Sequence, residues 1–273
     1  MSVAGLLLGD SRFPAGGHAH SGGVEPAVTA GAVTGLDSLE LFLRGRLRTS
    51  GLVAAAIAAA ACAHVQAAGG EPAAPVRDDY WARLDAEADA RTPAPAQREA
   101  SRRQGRALLR AARTAWPDAA VLAALAVPAG AGRAAGVTGA GEMAGAHGTD
   151  GTGGAAGGTA GVPGRREYRG GPHHAVVLGA AAAAAGCGAA EAARIAAYQA
   201  VAGPVSAAVR LLALDPMRAT GVLARLAGDI ERVAAEGAGY AARPTQELPC
   251  PSGPALDLLA ETHARAEVRL FES

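Results

Sequence analysis

Apolar residues recur at helical spacing along most of this chain. Leu39, Phe42, Leu43 and Leu47 form one such stripe behind Asp37 or Ser38, either of which can cap a helix. Leu52–Gln66 predicts a second helix, and Glu71–Pro75 a loop. Asp78–Ala90 predicts a short helix that buries Tyr80, Trp81 and Leu84, and Ala96–Trp116 a long one stopped by Pro117. Further on, the pattern predicts a helix over His173–Ala185, which Gly186 and Gly188 break. Another covers Ala189–Leu214, bent or interrupted at Gly203–Pro204 because proline has no N–H to donate. Asp215 and Pro216 form an N-cap and first-position proline pair that opens a helix to about Glu236. Tyr240–Gly253 reads as a proline-rich linker. Pro254 to about Val268 reads as a last amphipathic helix, followed by Arg269-Leu270-Phe271.

One stretch has no such period. Between Gly130 and Gly164, 14 of 35 residues are glycine and the remainder are mostly alanine and threonine. Such a segment buries too little to offset its ordering entropy, so it reads as a disordered insertion. The chain then divides into an N-terminal helical part (1–129), a Gly/Ala-rich insertion (130–171), a C-terminal helical part (172–239), and a linker with a terminal segment (240–273).

Composition sharpens the fold class. Half of the residues are hydrophobic, largely alanine, and only 3% are aromatic. Alanine favours helix but buries little area per residue, and the Val/Ile runs of a parallel sheet are missing. The expected fold is all-α: a single compact multi-helix domain. The 25 basic residues, all arginine, balance 25 acidic ones, without the basic excess of a nucleic-acid binder. Cys62, Cys187 and Cys250 form neither a CxxC pair nor a disulfide framework. No basic n-region precedes an apolar run at the N-terminus, and Leu52–Ala61 alone is too short to span a bilayer. A cytoplasmic location with no membrane partner is expected.

Candidate chemistry is sparse. His18-x-His20 and His173-His174 could each supply two imidazoles, half of a tetrahedral metal site, with no third ligand nearby in sequence. Ser21 lies in a His-Ser-Gly-Gly run, but a nucleophile elbow needs glycine where Ala19 stands and a preceding strand. The chain has no Walker loop and no GxGxxG. Neither catalytic residues nor a cofactor are expected. Arg194 and Tyr198 share a helical face and fit either an exposed surface or a docking surface. Arg98, Ser101 and Gly105 follow i, i+3, i+7, a face on which glycine permits close helix approach.

Four stretches together resemble the UreF family of urease accessory proteins. Leu6-Leu7-Leu8-Gly9-Asp10-Ser11-Arg12-Phe13-Pro14-Ala15-Gly16-Gly17-His18-Ala19-His20-Ser21-Gly22-Gly23-Val24-Glu25 is similar to the family's opening L-x-x-D-S-x-x-P-x-G-x-ϕ-x-H-S-x-G-L-E, where ϕ is aromatic. Arg98-Glu99-Ala100-Ser101, with Gly105 and Leu108-Leu109, is the second stretch. The third runs from Gly179 to Leu214 and includes Arg194, Tyr198 and Ser206–Leu211. The last, His263–Ser273, ends Arg269-Leu270-Phe271-Glu272-Ser273 as the family ends R-L-F-x-S. Here His18 stands at the aromatic position, and Gly22 where glutamine or an aromatic is common.

The resemblance implies an all-α homodimer without enzymatic activity that bridges the UreD (UreH) scaffold and the UreG GTPase while nickel enters the urease apoprotein. It places His18, His20, Ser21, Glu25, Arg194, Tyr198 and Arg210 on a partner-facing surface, with His263, Arg269, Leu270 and Phe271 in a C-terminal segment ordered by UreD. Physics agrees with that dependence. A short helix after a proline-rich linker is marginal alone and gains by laying Leu256, Leu259 and Val268 in a partner groove. Two other readings compete: a metal carrier binding nickel through His18 and His20, perhaps with Cys250, and a nucleic-acid regulator using its arginines.

Overall fold

Alanine decides how the helices meet. The computed structural model describes residues 2–10, 12–68, 79–125 and 170–273. Most of the Gly/Ala-rich insertion, and the Glu71–Pro75 loop, lie outside these residues. Every long element among them is helical: α1 (Val3–Gly9), α2 (Val24–Thr29), α3 (Leu36–Arg46), α4 (Leu52–Ala67), α5 (Tyr80–Ala90), α6 (Pro95–Ala115), α7 (Ala120–Ala124), α8 (His174–Ala184), α9 (Ala189–Leu211), α10 (Pro216–Ala238) and α11 (Pro254–Ala264). No strand occurs among the described residues, and the all-α expectation holds.

The centre is α4, packed against α8, α9 and α10. Leu52–Cys62 is buried almost throughout, with Ala55, Ala56, Ala58 and Ala59 wholly covered. A one-carbon side chain buries area only when the facing backbone is close. Gly179 of α8 meets that demand: a Cβ there would overlap the Ala58 carbonyl of α4. Gly105 of α6 likewise lies against the backbone of Pro172 and His173, so the Arg98/Ser101/Gly105 face is a packing face.

Several boundaries differ from the sequence reading, each for a local reason. Gly35, not Asp37 or Ser38, precedes α3; Ser38 sits one turn in and accepts from the N–H groups of Thr34 and Gly35. A wide π-type turn, Leu47–Gly51, joins α3 to α4 without a break. The joined run Leu36–Ala67 is thus long and apolar enough to cross a bilayer, although Leu52–Ala61 alone is not. Its α4 half is buried inside the helical core. Tyr80 and Trp81 are only half-buried; of the predicted trio, Leu84 is fully covered.

Helix α9 continues through Pro204 rather than ending there. Proline leaves the carbonyl four residues earlier without its N–H. That carbonyl, Ala200 O, accepts instead from Arg46 Nε at 2.9 Å. Asp215 caps α10 as expected, accepting from Met217 N at 2.9 Å. The Tyr240–Gly253 segment is a pinned strap rather than a loose linker: Arg91 donates to the carbonyls of Gln246, Leu248 and Pro249, and Thr245 and Leu248 are buried.

A polar network locks the rim of the core. Arg102 of α6 donates to Asp85 (2.9 Å) and Asp89 (2.7 Å) of α5 and to the Gly171 carbonyl, while Arg106 donates to Gly170 O. The end of the Gly-rich stretch is therefore tied to α6. His173 sits among the same groups, its Nε2 2.8 Å from Asp89 and its Nδ1 2.9 Å from Ser101 Oγ. The Asp89 carboxylate can only accept, so the proton of the buried neutral ring sits on Nε2, and Nδ1 accepts from Ser101 Oγ, which itself accepts from His174 N. Burial favours raising the Asp89 pKa, but the hydrogen bond from His173 and the charge of Arg102 outweigh it and hold the carboxyl below its usual value.

Two outcomes follow for stability. Arg102→Ala leaves Asp85 buried without its counter-charge and should cost about 3–5 kcal/mol in chemical denaturation. Because the folded-state pKa of Asp89 is depressed, its contribution is complete above the ordinary carboxylate range and lost below it. Wild-type stability should fall as pH drops below about 4, and Asp89→Asn should flatten that fall.

Candidate functional site

The first and last motifs meet. A short 3-10 turn at Gly17–Ala19 precedes α2, and Gly23, in the left-handed region at φ +90°, opens that helix. This puts Glu25 in the first turn of α2, inside the structure and 7% exposed. Its carboxylate accepts from two successive backbone groups of the C-terminal tail, Leu270 N at 2.7 Å and Phe271 N at 2.9 Å. His263 Nε2 lies 3.5 Å from the same carboxylate and 3.3 Å from the Phe271 carbonyl.

The contact continues to the chain end. Ser21 Oγ donates to Ser273 O at 2.8 Å and accepts from Glu25 N at 3.3 Å. Glu272 N donates to Ala19 O at 2.8 Å, and His20 Nδ1 lies 2.7 Å from Ser273 Oγ. Phe271 is buried, with the Arg210 guanidinium 4.5 Å above its ring. Arg210 also donates to His18 O at 3.1 Å. The tail is thus a backbone clasp: carboxylate, hydroxyl and carbonyl groups of residues 19–25 hold residues 270–273.

His18, His20, Ser21, Glu25, Arg210, His263, Leu270 and Phe271 therefore belong to one region. His18, Leu270 and Arg269 face outward, whereas His20, Ser21 and Glu25 are buried. Arg194 and Tyr198 stand apart on α9, where Arg194 pairs with Glu231 of α10 at 2.9 Å. They reach the region only through a cavity of about 1230 Å³ that His18, His20, Arg194, Tyr198 and Arg210 all line.

Burial pushes the His20 pKa down to about 4, against the opposing charge of Glu272. The ring is therefore neutral at physiological pH, and one of its nitrogens is engaged with Ser273. His18, by contrast, is exposed. Three carboxylate and imidazole groups close enough to share an ion occur, among the described residues, at Asp85, Asp89 and His173. Those atoms already hold Arg102, Ser101 and one another.

Sequence reasoning missed Ser273, Glu272, Arg103 and the Asp85–Asp89–Arg102–His173 network. Arg103 Nε lies 3.4 Å from Glu272. His20 and Ser273 are 253 positions apart, so no local spacing signals their contact.

Glu25→Ala should free the tail. A hydrogen bond to a charged group contributes about 1.5–3 kcal/mol, so amide exchange at Leu270 and Phe271 should rise about tenfold or more. Glu25→Gln should give a smaller rise. The depressed His20 pKa means the open state binds the proton more readily. Clasp stability should be complete above about pH 6.5 and fall as pH approaches 4. Tail exchange, corrected for its intrinsic pH dependence, should follow that window in wild type and lose it in His20→Asn.

Known proteins resemble this chain over most of its length. The family model for UreF matches residues 33–227. The urease accessory protein UreF of Mycolicibacterium vanbaalenii is 38% identical over 269 residues, covering 98% of this chain and 97% of that one. Those of Mycobacterium sp. (strain JLS) and Mycobacterium tuberculosis (strain H37Rv) are 39% and 38% identical over 268 residues, each spanning 98% of this chain and 97% of its own length. With family match, near full-length similarity and helical fold in agreement, this chain belongs to the UreF family of urease accessory proteins.

Proposed function

We propose that this chain acts as a helical adaptor in urease maturation. It bridges the UreD (UreH) scaffold and the UreG GTPase while nickel, as cargo, enters the urease apoprotein. It works as a homodimer in the cytoplasm and catalyses no reaction itself. The observation that carries this reading is the clasp, which joins the two most family-specific motifs into one surface.

Three features support it. The polar side chains of the clasp are engaged in holding backbone, which suits a shape presented to a protein better than a reacting group. Beside the clasp, Leu258, Val268 and Leu270 are 71%, 86% and 75% exposed, more apolar surface than a solvated tail needs. Leu6 and Leu7 of α1 are also exposed, at 55% and 46%. A UreD scaffold that covered the terminal patch would order the tail further, each buried Leu or Val contributing about 1.5–3 kcal/mol. The cavity lined by Arg194 and Tyr198 extends the same surface towards a second partner, assigned here to UreG.

Leu258→Asp combined with Leu270→Asp tests the assignment. Both side chains are exposed, so the melting temperature of the protein alone should stay within a few degrees of wild type. Co-expressed UreD should no longer be retained on the tagged protein, and UreG recruitment should fall with it. Undiminished retention of UreD would place the scaffold elsewhere.

A further inference from the structure

Arg46 stands out by what surrounds it. It closes α3; its carbonyl accepts from Thr49 Oγ1 and Ser50 Oγ, and among the described residues its side chain makes one hydrogen bond, from Nε to Ala200 O. No carboxylate lies within ion-pair distance of it among those residues. The guanidinium stacks over Gly22, where a Cβ would sit 3.3 Å from Cζ and Nη2 and 2.9 Å from Pro204 Cγ. Gly22 also has φ +62°, so a side chain there is disfavoured twice.

This guanidinium lies where two cavities meet. The larger, about 1230 Å³, and the smaller, about 420 Å³, share Gly22, Arg46, Ser50, Gln104 and His174 in their walls. Among the described residues neither the Gln104 amide nor the His174 ring has a hydrogen-bond partner. The carboxylates lining either cavity already have arginine partners: Asp10 with Arg12, Glu231 with Arg194, Glu99 with Arg103 and Arg106, and Glu272 with Arg103. Burial without a counter-charge lowers the Arg46 pKa to about 10, and burial next to His20 lowers that of His174 to about 4. At neutral pH the junction thus holds one cation beside an uncharged imidazole and an amide, while the Ser50 hydroxyl is spent on the Arg46 carbonyl.

We propose that the junction at Arg46 binds a small planar monoanion of the carboxylate type, held by the free edge of the guanidinium and by Gln104 and His174. A guanidinium presents two parallel N–H donors at the spacing of carboxylate oxygens. One positive charge balances one negative charge. A tetrahedral phosphate dianion would leave excess charge in a place where burial already disfavours it. The neutral groups supply hydrogen bonds without altering that balance.

The test uses the full-length chain and carbon-13 formate as probe. The formate resonance should broaden on adding wild-type protein at constant ionic strength, and acetate or bicarbonate should reverse the broadening where phosphate does not. Formate should also raise the melting temperature above that in equal chloride. Arg46→Met should abolish both effects. If that variant does not fold, Gln104→Leu carries the test, with affinity about tenfold weaker as expected for one lost hydrogen bond to a charge. The proposal is overturned if Arg46→Met, or Gln104→Leu in its place, responds like wild type. It fails equally if phosphate displaces formate more readily than acetate does, or if chloride matches formate.

Discussion

Close approach of helix backbones is the constraint on which this structure depends. With few aromatics and a core largely of alanine, each contact contributes little area, so the sum is adequate only where helices touch almost backbone to backbone. Gly179 against the Ala58 carbonyl shows that constraint between two helices of the core. The same demand explains why α4, in which 9 of 16 residues are alanine, holds the centre. A helix of bulkier residues would hold α8, α9 and α10 apart and break the contact each makes with it.

A core made of small side chains specifies position weakly, because alanine offers few distinct shapes to interlock. Specificity falls to the polar groups at its edges. Arg102, with Asp85, Asp89 and His173 around it, fixes α5, α6 and the start of α8 relative to one another. Arg46 does the same for α3 and α9 by taking the carbonyl that Pro204 strands. Each places an arginine where a large apolar side chain would otherwise set the register. The arginine-only basic complement therefore has a structural use in this chain: a guanidinium serves several carbonyls or carboxylates at once, as Arg91 and Arg102 do.

Much of this was legible in the sequence. The long helices, the Asp215–Pro216 cap and the glycine face of α6 follow from period and local chemistry, which act within a few residues. What escaped was non-local. Pro204 carries a genuine helix-breaking signal, and only the tertiary partner at Ala200 O overrides it. The π turn at Leu47–Gly51 leaves no compositional trace, so one continuous run reads as two. The strap at Tyr240–Gly253 has a linker's composition but is pinned by Arg91. At the site, motif similarity named Glu25 and Leu270-Phe271 separately. That one accepts hydrogen bonds from the other two is a fact of geometry, between positions too distant for any spacing rule.

That geometry makes the two ends of the chain one unit. Glu25 is a nearly buried carboxylate whose acceptors are filled by tail amides, with His263 alongside. Lifting the tail leaves the carboxylate in a poorly hydrated place with those donors gone, and uncovers His20 and Ser21 at the same time. Burying an unpaired charge is costly, so partial release is disfavoured relative to a tail wholly seated or wholly displaced. The N-terminal loop cannot therefore keep its shape independently of residues 270–273. A partner that grips the tail changes the loop, and one that grips the loop changes the tail. Such reciprocity would serve the adaptor role proposed above, and it rests on one carboxylate rather than on motion through the alanine core.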